Sequence, residues 1–313
     1  MSYLVTGGTG FIGSWVVKSI VESGNKVVCF ELDPNISRMK MLLGEKMGEV
    51  SIVNGDVLQI NKIIEVIKKY NVTHVAHIAA AVLNICKTNP PYAMQVNVNG
   101  FTNILEACRL SDIRRLVWAS SASVFGGSFA NEKIPNNAAF KPTSIYAGSK
   151  LLGENLAEHY HYNYGLDVIG LRYTFVTGHG MPNSIGGKFI EELCEKPALG
   201  KKGRVPWGDD NPDWLWAGDA GKATMLALTV NKTKTRAFNV AGNSGSVKSA
   251  IEYIKNILPG SDIEPLSGKM GFNNFDGTVA EQEIGYKPEW TMEMQLKEHV
   301  NRARRNAGLS LIC

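Results

Sequence analysis

The sequence predicts an α/β protein in which a doubly wound parallel sheet is joined to a smaller, interleaved C-terminal domain. Three observations carry that prediction. Short apolar runs alternate with segments whose apolar residues recur at helical spacing, from the first residues to about Leu171. The runs are nearly continuous rather than alternating, as in strands covered on both faces. A glycine-rich turn, Gly7-Gly8-Thr9-Gly10-Phe11-Ile12-Gly13, joins the first run to the first helical segment.

Tyr3 to Thr6 is the first expected strand, and Ser14 to Ser23 is helical, stopping at Gly24. The glycines between them permit a tight turn and close approach of backbone to a pyrophosphate. Its charge then meets N–H groups at the helix N-terminus. Gly7, Gly10, Phe11, Ile12 and Gly13 are therefore candidate cofactor contacts, in the strand–turn–helix setting of a Rossmann-type dinucleotide fold. Lys26 to Phe30 is the second strand and leads into Glu31-Leu32-Asp33. A carboxylate there accepts from both ribose hydroxyls and repels a 2′-phosphate, so NAD is expected over NADP. Glu31 directly follows the strand and is the better candidate, Asp33 competes, and Arg38 keeps NADP as the alternative.

A strand at Val50 to Val53 runs into Gly55-Asp56-Val57, followed by a helix from Asn61 to Tyr70 and a strand from Thr73 to Ala79. The small residues Ala79-Ala80-Ala81 at that strand's carboxyl end either leave room for a ligand or serve helix-to-sheet packing. Pro90-Pro91 can open a long helix over Tyr92 to Ser111. Arg115 to Ser120 is the fifth strand and ends in hydroxyls, Ser120-Ser121-Ala122-Ser123. Plain turn serines are one reading of that run. Tyr146-Ala147-Gly148-Ser149-Lys150 favours another, because a tyrosine and a lysine four residues apart share one helical face. Oxidising an alcohol requires a base for the O–H proton while hydride leaves carbon. A free phenol titrates near about 10, so a neutral-pH phenolate needs stabilisation on the order of 4 kcal/mol, part of which an ammonium can supply.

The tyrosine helix is expected to end near Gly165, with a sixth strand at Leu166 to Leu171. The glycine-rich stretch Thr177 to Gly187 suits a mobile loop over a site or an ordinary surface loop. Shorter elements follow: helix Lys188 to Glu195, strand Trp214 to Ala217, helix Asp219 to Thr229, strand Ala237 to Val240, and helices Val247 to Ile257 and Thr291 to Arg305. The expected division is a dinucleotide-binding domain over 1–172 and a mainly substrate-binding domain over 173–313, with some segments returning to the first.

Composition excludes several function classes. The chain has 313 residues, with 33 basic and 29 acidic side chains spread along it, which points to neither nucleic acid nor a membrane surface as partner. No apolar run reaches the roughly 20 residues that span a bilayer, and a strand beginning at Tyr3 leaves no room for a leader, so a cytoplasmic location is expected. Cys29, Cys86, Cys108, Cys194 and Cys313 are scattered without a CxxC pair and are read as reduced fillers. His74 and His77 along a strand and His159 and His161 on different helix faces offer no metal spacing.

Taken as an ordered set, several pieces resemble the extended short-chain dehydrogenase/reductase family, the branch of NAD-dependent sugar-nucleotide epimerases and dehydratases. They are Thr6 to Gly13, Gly55-Asp56, His77 to Ala80, Asn97 to Gly100, Ser120 to Gly126, Tyr146 to Lys150, Leu171-Arg172-Tyr173 and Ile284 to Pro288. The resemblance implies Asp56 and Val57 near adenine, Ala79 and Ala80 beside the cofactor and Asn97 supporting the nicotinamide region. It implies Tyr146 as acid/base, Lys150 as ribose ligand and electrostatic partner, and Ser121, assisted by Ser123, at the reacting oxygen. Substrate contacts are expected from Ser121, Ser123, Tyr173 and Thr174. The resemblance also implies a homodimer through the two long helices.

The departures concern substrate. Pro212 stands where family members gripping a diphosphate carry an arginine, Thr174-Phe175 replaces a common asparagine, and the dehydratases' Asp-Glu pair is absent from Ala122-Ser123-Val124. The first expectation is therefore an NAD-dependent oxidoreductase interconverting a secondary alcohol and a ketone on a sugar-like or small polar substrate. The alternative is a nucleotide-sugar epimerase with tightly bound NAD, using Arg172, Arg204 or Lys202 for the diphosphate. A non-catalytic dinucleotide sensor is the third reading, against which Ser121, Tyr146 and Lys150 speak. Trp207, Trp214 and Trp216 are read as core rings or as a sugar-stacking surface.

Overall fold

The computed structural model of the chain describes residues 1–127, 133–182 and 184–312; Asn183 of the glycine-rich stretch and Cys313 lie outside the described residues. The strands are β1 (Ser2–Thr6), β2 (Lys26–Glu31), β3 (Val50–Asn54), β4 (His74–His77), β5 (Arg115–Ser121), β6 (Val168–Tyr173), β7 (Phe175–Thr177), β8 (Gly203–Val205), β9 (Asp213–Trp216), β10 (Ala237–Val240), β11 (Asn243–Ser244) and β12 (Ile263–Pro265). Seven of them form one parallel sheet in the order β10-β6-β5-β4-β1-β2-β3. The chain order reverses between β1 and β4, and the crevice beyond the carboxyl ends of these two strands is where such sheets take ligands.

Helices cover both faces, which is why the strands read as unbroken apolar runs. On one face Val16, Val17 and Ile20 of helix Phe11–Glu22 pack with Ala220, Ala223 and Ala227 of helix Ala217–Thr229 against Tyr3, Val5 and Cys29. On the other, Ile63 and Val66 of helix Ile60–Lys69 pack with Ile104, Leu105 and Ala157 against Leu4, Val75 and Leu116. Gly153 lets helix Ile145–Tyr164 approach β5 closely: a Cβ there would meet the Trp118 ring at 2.7 Å.

The later chain builds a second cluster around Phe189, Trp214, Val247, Ile254 and Leu296, with a three-stranded sheet β11-β9-β7 and a two-stranded pair β12-β8. β10 returns to the edge of the large sheet.

Several boundaries differ from expectation for physical reasons. β4 stops at His77 rather than Ala79 because the N–H groups of Ile78 and Ala79 both turn to the Thr6 carbonyl, at 3.0 and 3.1 Å. The helix expected over Tyr92 to Ser111 runs from Pro90 to Leu110 and widens into a π-helical turn at Gln95–Gly100. β6 extends through Arg172 and Tyr173, placing Tyr173 in register with Ser121. The glycine-rich stretch begins as strand and is anchored beyond it. Thr177 Oγ1 donates to Gln295, Trp15 Nε1 donates to the His179 carbonyl and Arg38 Nε donates to the Gly180 carbonyl at 2.6 Å.

Candidate active site

The glycine turn closes the β1/β4 crevice. Gly7 has a φ of +71°, a left-handed conformation suited to glycine, and a Cβ on it would lie 2.6 Å from the Ala79 nitrogen. Gly7 and Ala79 therefore approach backbone to backbone, and a Cβ at Gly7 would fill the space between them. Gly10 caps helix Phe11–Glu22, whose first turn has no side-chain cap and no acidic residue. The N–H groups of that turn are left for an anion.

Glu31, at the end of β2, accepts from the Thr9 N–H at 2.6 Å, which fixes its carboxylate beside the turn. Burial raises its pKa, and the Thr9 hydrogen bond pulls in the opposite direction. Asp33 lies two residues further on and is exposed, so Glu31 is the carboxylate held at the crevice. Asp56 accepts from the Leu58 N–H at 2.9 Å, while Asn103 holds the Val57 carbonyl at 3.0 Å. These positions lie past the carboxyl end of β3, next to β2.

Asn97 sits in the π-helical turn, buried, and acts as a clamp. Its side chain accepts from the Ala81 N–H at 2.7 Å, donates to the Ala81 carbonyl at 2.9 Å and donates to Ser149 Oγ at 3.1 Å. It thus ties the Ala79-Ala80-Ala81 segment to the helix that carries Tyr146 and Lys150. A wider turn at such a position is a common functional irregularity.

Helix Ile145–Tyr164 is capped at Ser144, whose side chain accepts from the Ala147 N–H, and ends at Gly165 in the left-handed region. It brings Tyr146 and Lys150 to the carboxyl end of β5. Lys150 Nζ lies 5.6 Å from the Tyr146 ring centroid and donates to the Ala119 carbonyl at 2.7 Å. Burial pushes the Lys150 ammonium down to about 8 and the Tyr146 phenol up to about 12, with Ser121 acting to lower the latter. A lysine four residues away on the same helix face was expected to lower the phenol, but here desolvation by burial outweighs it. Ser121 Oγ accepts from both Ser123 Oγ at 2.9 Å and Ser123 N–H at 3.2 Å, which places the two serines as one unit.

The hydroxyls of two expected substrate contacts have partners within the protein. Tyr173 is buried, its hydroxyl 2.6 Å from Thr224 Oγ1, so it faces a helix and not the crevice. Thr174 donates to Asp213 Oδ1 at 3.0 Å and serves the base of β9. Of the cations expected at a diphosphate, Arg172 is buried in a pair and the other two form exposed surface pairs. Arg172 is buried against Glu154, its Nε and Nη2 donating to the two carboxylate oxygens at 2.8 and 2.7 Å. Lys202 and Arg204 stand on β8 and its approach, where they pair with Glu264 at 3.0 and 3.5 Å.

Sequence reasoning missed the polar pair beneath the crevice. Thr6 Oγ1 and His77 Nδ1 lie 2.7 Å apart as register partners on β1 and β4, and burial pushes His77 down to about 3. A polar residue at the same end of two adjacent apolar strands was the available signal. Among the described residues, no group of three or more His, Cys, Asp or Glu side chains could hold a metal ion.

Three known proteins frame this geometry. The chain is 31% identical over 312 residues to a putative UDP-glucose 4-epimerase of Methanocaldococcus jannaschii, covering 97% of this chain and 98% of that protein. It superposes on the UDP-N-acetylglucosamine 4-epimerase of Methanobrevibacter ruminantium with a TM-score of 0.84, 25% identity and 96% of both chains covered. It also shares the fold of a GalE-like L-threonine dehydrogenase from Cupriavidus necator, with a TM-score of 0.85, 22% identity, and 98% of this chain and 100% of that chain covered. The fit of the glycine cradle and of Glu31 is to NAD, the cofactor of this group. The sequence profile of the NAD dependent epimerase/dehydratase family matches residues 3–241, and the chain belongs to that family, as an NAD-dependent enzyme of the extended short-chain dehydrogenase/reductase type.

Proposed function

We propose that the chain interconverts a secondary alcohol and the corresponding ketone on a sugar-like or other small polar substrate, with net transfer of hydride between the substrate carbon and NAD. The observation that carries this over epimerisation of a nucleotide sugar is Arg172, whose guanidinium is sealed against Glu154 while Pro212 stands before Asp213. Arg172 is then not free to make the bidentate contact that a diphosphate favours. NAD supplies the hydride acceptor. Tyr146 takes the alcohol proton, Ser121 with Ser123 orients the oxygen, and Lys150 carries the positive charge that favours a phenolate once its own proton is retained. Gly7, Gly10, Phe11, Ile12 and Gly13 hold the pyrophosphate, Glu31 the adenosine ribose, and Asp56 and Val57 the adenine side. Ala79 and Ala80 line the nicotinamide end, supported by Asn97. The test is NADH formation from free alcohols: net accumulation supports the reading, and NAD released only on denaturation favours the epimerase.

The second reading, a 4-epimerase acting on a UDP-sugar, is favoured by the names of the relatives, and a proton-NMR assay with UDP-glucose separates it. The second half of the chain, over 173–313, is proposed as the main substrate-binding part, with β10 returning to the first. A homodimer through the two long helices is supported by exposed Tyr92, Met94, Ile145 and Leu152 along them and is checked by sedimentation. A cytoplasmic setting is supported by the four described cysteines, all free and buried. No helix among the described residues is long and apolar enough to cross a membrane.

A further inference from the structure

Lys150 is a cation in a buried place with few partners. It is 5% exposed, and its Nζ donates to the Ala119 carbonyl. Among the described residues, none of its partners is a carboxylate. Glu154, one turn further along helix Ile145–Tyr164, is taken by Arg172 and Ser120. The titratable groups that face the ammonium are Tyr146 on its own helix, Cys86 on helix Leu83–Thr88 and His77 on β4. Burial pushes the Tyr146 phenol and the Cys86 thiol up and the His77 imidazolium down, so none supplies a negative charge at rest.

What surrounds the ammonium instead is aromatic. Nζ stands over the Trp118 ring, 5.6 Å from its centroid, the same distance as to the Tyr146 ring. An indole face attracts a cation more strongly than a phenol or phenyl face does, and more so where water is excluded. Trp118 is buried on β5 directly before Ala119, so one stretch of strand offers Lys150 both the ring and the carbonyl.

The neighbours are shaped to this ring. Gly170 is its register partner on β6, and a Cβ there would lie 3.1 Å from the indole Nε1. Gly153, on the lysine's own helix, leaves the space over Cη2. Phe101 stacks on the indole at 4.4 Å and 28°, and His77 stacks on Phe101 at 5.4 Å and 8°. The indole N–H, by contrast, is buried without a hydrogen-bond partner among the described residues. A tryptophan fixed this closely with its N–H unsatisfied contributes through its face.

We propose that Trp118 is a positioning residue for the reaction, its indole face holding the Lys150 ammonium charged beside Tyr146 where no carboxylate does so. This inference rests on the hydride chemistry proposed for Tyr146 and Lys150, and it names the group through which the lysine keeps its proton.

The test is an NMR titration of Lys150 in the NAD-loaded full chain carrying isotope-labelled lysine, with Lys150→Met assigning the signal. Mono-, di- and trifluorotryptophan are placed at position 118 by nonsense suppression. Fluorine withdraws electron density from the ring face while nearly keeping its shape, and the altered N–H acidity has no partner to act on. The Lys150 midpoint is expected to fall stepwise along the series, by about one pH unit at trifluorotryptophan. Trp118→Phe, which keeps an aromatic face, should titrate closer to wild type than Trp118→Leu, both checked for wild-type melting. The alkaline limb of the pH dependence of NADH formation should move down with the midpoint. A midpoint unchanged across the fluorinated series overturns the proposal whatever the activity. A midpoint that falls while the alkaline limb stays in place overturns the part given to Trp118 in the reaction. Failure of every alcohol to yield NADH overturns the hydride reading instead, since the lysine titration is read without turnover.

Discussion

Replacing Glu154 with alanine is expected to destabilise the protein far more than it disturbs any anion-binding function, because Arg172 is structural. Both side chains are less than a tenth exposed, at 8% for Glu154 and 4% for Arg172, so solvent screening gives little relief. The carboxylate receives two bonds from the guanidinium and a third from Ser120 Oγ at 2.6 Å. Its removal leaves Arg172 with the Asn136 carbonyl at 2.8 Å and the Asn239 amide oxygen at 3.5 Å. Stacking on Phe125 and Phe140 remains but cannot replace a counter-charge. Three bonds to a charged group at roughly 1.5–3 kcal/mol each set an upper limit, reduced by relaxation and water entry. Breaking one side of a buried ion pair generally costs about 3–5 kcal/mol. At roughly 2 °C per kcal/mol for a long chain, this lowers the melting temperature by about 6–10 °C. The assay is thermal and urea unfolding of Glu154→Ala beside the paired variant Glu154→Leu/Arg172→Met, which should regain most of the loss because well-packed apolar replacements avoid the uncompensated charge. Glu154→Ala melting with the wild type, or Arg172→Met weakening UDP-glucose binding while leaving stability intact, would show that Arg172 is not structural.

Other outcomes follow from the same geometry. Glu31→Gln should reduce the preference for NAD over NADP, measured as the ratio of kcat/KM values for the two cofactors; an unchanged ratio would move the ribose contact to Asp33. Asn97→Ala strands the Ala81 N–H and carbonyl in a buried place, at about 1–3 kcal/mol per lost partner, and should also lower kcat by loosening the Ala79–Ala81 segment. Stability lost with kcat retained would limit Asn97 to packing. For Lys150 the folded value of about 8 lies below the free value of 10.5, so between these the unfolded chain binds more protons and stability rises with pH. Over that window wild type should gain up to about 3 kcal/mol relative to Lys150→Met. Parallel pH profiles of the two proteins would contradict the burial of that ammonium.

What the sequence made legible depended on how locally each feature is encoded. β1, β2, β5 and β10 were readable because strands covered on both faces need nearly continuous apolar residues. β7, β8 and β12 have three residues each, too few to show a period, and are fixed by their partners across the second cluster. The Ser121, Tyr146 and Lys150 group was visible because its spacing is helical and its serine ends a strand. The partners of Tyr173 and Thr174 were hidden for the opposite reason. These partners, Thr224 and Asp213, are 51 and 39 residues away in sequence, and nothing local shows which way those side chains turn. The same holds for Arg172, an available cation in sequence and a sealed one in the fold. The phenol's value is also a tertiary property: a lysine four residues away suggested a lower value, and burial raised it.

Net hydride transfer with Tyr146 handling the proton is tested most directly by NADH absorbance in wild type and Tyr146→Phe, each given excess NAD and a panel of free alcohols. Wild type is expected to form NADH beyond one equivalent per chain, the variant to do so roughly 10²–10⁴-fold more slowly, and both to bind NAD equally. A Tyr146→Phe protein that forms NADH at the wild-type rate would contradict that role of Tyr146.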